Sequence, residues 1–266
     1  MTLILTLFKE QFKNFGLICR LATYDIKSKY QLHYLGVLWQ FLNPLLQVLI
    51  YWIAFGVGIR HGAPVNGTPY LLWLLCGLIP WFFIAPTVTQ GSNSVFTKVT
   101  LVSKMKFPVS ILPTITIISN GISFLAMFCV LIIMMFLYGV PITLYFLQIP
   151  YFFLCLGAIL FSLTLLFSTI STMIRDVQLL IQSSMRLLLY ISPVLWDISK
   201  NPHLAAILKI NPFFYILDGI RDSVLSKGLF YHEIAYSLYF WCLTVLILLI
   251  GSVLHFKFRD KFVDYL

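Results

Sequence analysis

The chain has 266 residues, of which 60% are apolar and only 10% charged, with a formal net charge of +9. Soluble domains carry about 25% charge and keep a polar skin, so a soluble fold is excluded, and so is a disordered chain. The apolar runs are long and unbroken where a β-barrel would show segments of about ten alternating residues, which leaves an all-α polytopic membrane protein.

Residues 1–33 read as a cytoplasmic segment ahead of the first span. At helical spacing, Phe8, Phe12, Phe15, Cys19, Ala22, Ile26 and Tyr30 fall on one arc, with Lys9, Lys13, Arg20 and Lys27 on a narrower arc beside it. This is the pattern of an amphipathic helix lying in the membrane interface with its cations toward headgroups. Asp25 and Lys29 add an i,i+4 pair. Two readings stand: a membrane-surface helix with no further task, or a collar that also touches a cytoplasmic partner.

Residues 34–266 read as the transmembrane domain. A crossing needs about 20 apolar residues. Six stretches meet that length, at about 34–59, 70–92, 109–138, 144–173, 177–196 and 234–256. Phe107 to Ile174 holds no charge and no histidine, and it divides near Gly139-Val140-Pro141. Thirteen Lys and Arg lie on the side of the termini and five on the other, which places both termini in the cytoplasm. Their spread between apolar runs fits this bias better than a basic surface for nucleic acid, so no nucleic-acid partner is expected.

Residues 197–228 are broken by Asn201-Pro202 and Asn211-Pro212. After Pro212, Phe213, Leu217, Ile220 and Val224 share a face, with Asp218 and Asp222 opposite and Arg221 to one side. Fourteen helical residues cover about 21 Å, too little for a bilayer. The segment reads as a pair of short re-entrant or interfacial helices at the mouth of a pathway.

The chain has no G-x-x-x-x-G-K-[ST], G-x-S-x-G, H-E-x-x-H or G-x-G-x-x-G. No two of its five cysteines stand in C-x-x-C spacing, so neither a disulfide nor a metal site is expected, and no catalytic residue is assigned. Arg186 is the one charge well inside an apolar run. It either snorkels to the cytoplasmic face or, with Arg175, contacts an anionic lipid headgroup. Pro44, Pro80, Pro86 and Pro113 are expected to kink their spans. Tyr51, Phe55, Trp73, Trp81, Phe82 and Trp196 are either packing and interfacial anchors or channel-lining rings that stack on sugar faces. A membrane-embedded glycosyl- or acyltransferase would need an acid, base or metal constellation, for which Asp218, Asp222 and Arg221 are thin support. Nearly charge-free spans argue against a proton-coupled flippase.

Several segments carry a likeness in order: R-L-A-T-Y-D-I-K-S-K-Y (Arg20 to Tyr30), Y-L-G-V-L-W-Q-F-L-N-P-L-L-Q (Tyr34 to Gln47), V-S-K-M-K-F-P-V-S-I-L-P (Val102 to Pro113), R-D-V-Q (Arg175 to Gln178), S-P-V-L-W (Ser192 to Trp196) and N-P-F-F-Y (Asn211 to Tyr215). Together they resemble the permease subunit of ABC-2 type polysaccharide exporters. Phe8 to Phe15, Tyr51 to Arg60 and Phe258 to Leu266 resemble the wall teichoic acid exporters within that family. O-antigen and capsule exporters share the general plan.

The resemblance implies a six-span half-transporter in the bacterial cytoplasmic membrane that pairs with an identical copy. It implies two copies of a separate ATPase, which binds the ATP and Mg; this chain binds no cofactor. The cargo implied is a lipid-linked anionic glycopolymer. The coupling helix that docks on the ATPase matches 93–106, with Phe96, Lys98, Lys104, Met105 and Lys106 as coupling residues. The interface helix, with Lys9, Lys13, Arg20, Tyr24, Asp25 and Lys27, is expected beside it.

Overall fold

A computed structural model describes residues 2–30, 34–98, 107–197, 202–228 and 234–262. Among them, five helical stretches are long and apolar enough to cross a membrane: Gly36–Ile59, Tyr70–Ser92, Val109–Leu137, Leu144–Met173 and Ile234–Phe258. These match the first four expected spans and the last.

The expected fifth span differs. Its helix is Asp176–Ile191, 16 residues or about 24 Å long. Ser192 precedes Pro193, whose ring disfavours helical backbone one residue earlier, and Ser192 is accordingly extended (φ −74°, ψ 158°). The expected crossing at 177–196 is therefore a short helix continued by non-helical chain.

The helices are numbered α1 (Thr2–Lys13), α2 (Phe15–Tyr30), α3 (Trp39–Tyr51), α4 (Tyr70–Ser92), α5 (Ser94–Thr97), α6 (Leu112–Leu137), α7 (Ile149–Met173), α8 (Asp176–Ile191), α9 (Pro202–Leu208), α10 (Pro212–Leu225) and α11 (Ile234–Phe258). α4 is the axis of the bundle. In its most apolar stretch 78% of residues are buried, against 11% for the stretch containing α3. α6, α7, α8 and α10 pack on α4, and α11 packs on α7.

α8 runs antiparallel to α4. Gln178 Nε2 donates to the Thr89 carbonyl at 3.0 Å near one end, and Tyr70 Oη donates to the Leu195 carbonyl at 2.9 Å at the other. The short helix and its extension together thus follow the length of α4. Gly77 permits the approach: a Cβ there would stand 3.1 Å from the Val194 backbone.

Pro44 lies inside α3, and Pro80 and Pro86 lie inside α4. Pro113 does not kink the third span. It falls in the first turn of α6, where its missing N–H is no loss, and so begins the helix. α3 continues into a π-helical stretch, Trp52–Ile59.

The expected single interface helix is two helices. The Asn14 side chain donates to the Glu10 carbonyl at 2.8 Å, a local bond that competes with the helical ladder and marks the break. The apolar arc changes with it. Leu7, Ile18 and Ala22 are buried, while Phe8, Phe12 and Phe15 are exposed. Ile18 and Ala22 belong to a small core with Val95, Ile111, Leu112 and Phe262. Glu10 holds α1 in place through Ser110 and Arg259 (3.3 Å).

The two short helices expected in 197–228 are α9 and α10. Asn211 caps α10 by accepting from the Phe213 N–H at 3.0 Å, with Pro212 in the first turn. Phe213, Leu217, Ile220 and Val224 are buried, as their shared face implies. Arg221, to one side of that face, is not left in solvent. It is 5% exposed, lies 3.9 Å from the centre of the Trp73 ring and donates to the Pro193 carbonyl. α10 thereby binds the chain that follows α8 to the Tyr70 end of α4.

Candidate functional site: a polar cleft within the spans

Two adjoining cavities open between the helices. The larger, about 470 Å³, is walled by α2, α3, α4, α6 and α8. Gln40, Asn43 and Gln47 enter it from α3 at i, i+3 and i+7, the spacing of one helix face. Ser119, Asn120 and Ser123 come from α6, and Gln182 and Arg186, four residues apart, from α8. Trp39, Tyr51, Trp81 and Phe82 add rings. Amides inside an apolar span are costly unless they find partners or water. Gln40 meets Ser123 across the cleft. Pro44 and Pro86 also line it, and each leaves the carbonyl four residues earlier, of Gln40 and Phe82, without its helical donor.

The smaller cavity, about 380 Å³, is lined by Asp25, Ser28, Asn93, Lys98 and Gln178 among others. Lys29, Thr89, Gln90 and Ser119 line both cavities and so form the neck between them. There Lys29 Nζ donates to Gln90 Oε1 at 3.0 Å, and Asn120 Nδ2 donates to the same oxygen at 3.4 Å. Desolvation lowers the Lys29 pKa below the ordinary lysine value, an effect that Asp25 opposes.

The smaller cavity abuts α5. Lys98, just after α5, pairs with Asp25 of α2 at 2.6 Å. Arg175, just before α8, lies over the Phe96 ring at 3.6 Å from its centre. Gln178 reaches Ser92 and Thr89. The segment at α5 is therefore held by both the interface helix and the start of α8.

The expected site residues separate. Tyr51, Trp81, Phe82 and Arg186 line the larger cavity. Trp73 is buried beneath Arg221, and the Trp196 indole donates to the Tyr190 carbonyl at 2.8 Å. Phe55 packs near Tyr51 at a ring separation of 6.4 Å. None of these three lines either cavity. Arg175 joins Phe96 and is not beside Arg186 in the cleft. Asp25 and Lys98 meet, while Lys9, Lys13, Arg20, Tyr24 and Lys27 are exposed. Lys104, Met105 and Lys106 lie outside the described residues. Sequence reasoning missed the amides and Lys29 as cleft residues. The available signal was the helical spacing of Gln40, Asn43 and Gln47 and of Gln178, Gln182 and Arg186.

Comparison with known proteins bears on most of the chain. Residues 16–225 match the family model described as ABC-2 type transporter. An O-antigen export system permease protein RfbA from Klebsiella pneumoniae is 29% identical over 252 residues, covering 92% of this chain and 95% of that protein. A protein of the same description from Myxococcus xanthus is 27% identical over 221 residues, covering 82% and 84%. A family match of that extent, on a bundle with five helices fit to cross a membrane, makes this chain a multi-pass member of the ABC-2 type transporter family.

Proposed function

We propose that the chain is the membrane half of an ATP-driven exporter that moves a lipid-linked glycopolymer from the inner to the outer side of the bacterial cytoplasmic membrane. The observation that carries this reading is the cleft of amides, hydroxyls and rings lying against α5. Amides and hydroxyls bond sugar hydroxyls, and rings take sugar faces, without demanding one repeat unit. A segment at α5, tied to α2 and α8, suits the coupling role that the family resemblance assigns to it.

ATP and Mg belong to a separate ATPase subunit in this reading. Closure of the ATPase pair pushes on α5, and the Arg175–Phe96 and Asp25–Lys98 contacts pass the displacement to α8 and α2. Different affinities of the ATP and ADP states for the two permease conformations supply the bias. α8 with its extension serves as the fifth of six crossings, with both termini cytoplasmic as the charge count favours. An identical copy completes the cleft. α3 and α8, two of its walls, carry the exposed Leu45, Leu46, Leu49, Leu179, Leu180 and Leu187, a surface suited to a second copy.

Two polymers fit. The segments Phe8 to Phe15 and Tyr51 to Arg60 favour wall teichoic acid, and the names of the relatives favour O-antigen. The test is transport in vesicles holding the permease and its ATPase, with each polymer on its lipid carrier. ATP-dependent movement of one polymer names the cargo. Movement of neither, or movement without the ATPase, defeats the reading.

A further inference from the structure

We propose that Lys29 and Arg186 form an anion site for the phosphate groups that join the glycopolymer to its lipid. This rests on the exporter reading and adds to it the chemistry by which the cargo is gripped.

The larger cavity has two charged side chains in its wall, both cations, from separate elements, α2 and α8. Among the described residues, no carboxylate lines it. Lys29 has a neutral amide oxygen, that of Gln90, as its hydrogen-bond partner. Asp25, one turn earlier in α2, is taken up by Lys98 at 2.6 Å. Arg186 makes no hydrogen bond or ion pair among the described residues. Two positive charges that share a concave wall of amides, hydroxyls and rings, one answered by a neutral amide and by an Asp25 already paired to Lys98, make a field that collects anions. An arriving phosphate oxygen would displace the Gln90 amide from Lys29 and replace a bond between a cation and a neutral oxygen by one in which donor and acceptor are both charged. The Arg186 guanidinium offers a planar fork to a second set of oxygens. Two cations match one diphosphate, whereas a polyanionic chain would ask for many. The surrounding amides, Gln40, Asn43, Gln47 and Gln182, and the Trp39 and Trp81 rings are then left for the first sugars.

Gln90 lies three residues before Asn93, which leads into α5. Displacing it alters a bond beside the coupling segment, so an occupied site differs from an empty one where the ATPase would feel it.

The test is a titration of the permease–ATPase complex in nanodiscs, read by fluorescence of the cleft tryptophans. The probes are a short-chain polyprenyl diphosphate disaccharide and the same polyprenyl disaccharide without phosphate. Lys29→Gln and Arg186→Gln should each weaken the diphosphate probe by about tenfold and leave the uncharged probe unchanged. Gln90→Glu keeps both cations but supplies an internal carboxylate to Lys29, and should weaken the diphosphate probe alike. Lys29→Arg should retain it. Wild-type unfolding temperature and copurification of the ATPase mark each variant as folded and assembled. Inorganic pyrophosphate should compete, and phosphatidylglycerol should not. The reverse order of competition would make the site one for bulk lipid and overturn the assignment. Equal diphosphate affinity in all variants overturns it too, while wild-type transport would leave the exporter reading standing. A wild-type complex that neither binds nor moves any polyprenyl-linked glycan defeats both.

Discussion

The Arg175 guanidinium stacks on Phe96, 3.6 Å from the centre of the ring, and so joins the start of α8 to α5. Such a pair is worth about 0.5–2 kcal/mol, little for the fold but enough to set how faithfully two elements move together. Phe96→Leu or Arg175→Ala should leave basal ATP hydrolysis by the assembled complex intact and reduce its stimulation by cargo several-fold. The double variant should be no worse than either single one, since both remove one contact. Export at the wild-type rate in both single variants would show that motion passes elsewhere.

The Asp25–Lys98 pair makes a second link, from α5 to α2, and it is partly shielded from solvent. Its worth to stability is about 1 kcal/mol or less. Its sign can be reversed: Asp25→Lys or Lys98→Asp alone should lower export, and the exchanged double variant should recover most of it. Transport rates of the four proteins in vesicles provide the measurement. No recovery in the exchanged pair would mean that one of the residues acts separately.

At the other end of α4, Arg221 holds three partners together. It lies over Trp73, donates to the Pro193 carbonyl and stands 4.0 Å from Asp218. Arg221→Met should lower the unfolding temperature in detergent clearly more than Asp218→Asn, which touches only the longest of these contacts. Arg221→Lys should rescue little, because a lysine lacks the flat face and the fork that serve the ring and the carbonyl together. Equal unfolding temperatures for Arg221→Met and wild type would remove the residue from the account of how α10 is held.

Gly219 and Gly157 make a matched test of packing. A Cβ at Gly219 would come within 2.0 Å of the Phe152 ring, whereas one at Gly157 meets nothing within 4 Å. Gly219→Ala should destabilise by about 1–3 kcal/mol through overpacking. Gly157→Ala should be neutral or slightly stabilising, as alanine is the better helix former. Thermal unfolding of the two variants side by side decides between these outcomes.

The apolar runs were legible because bilayer thickness imposes a length that composition alone can meet, and five helices stand where those runs lie. The end of α8 was also written in the sequence, at Pro193, but the apolar residues on either side outweighed it. Asn14 was equally visible, yet its effect depends on a side chain turning back to Glu10. The cleft was harder to read. Gln40, Asn43 and Gln47 look like dilution of an apolar stretch until the amides of α6 and α8 are set opposite them. Lys29 finds its partner 61 residues away in Gln90, and Arg221 finds the Pro193 carbonyl 28 residues away. No local pattern announces contacts of that kind.

The light seating of the Gly36–Ile59 stretch, with only 11% of its most apolar segment buried, has a consequence for the lipid anchor of the cargo proposed above. If the cargo is the lipid-linked polymer proposed above, a wall held so lightly by its own bundle can part from the second copy, so that the lipid anchor stays in the oil while its head slips through. In that reading the carrier measures heads and ignores tails. Lengthening or shortening the isoprenoid by several units should leave the export rate unchanged.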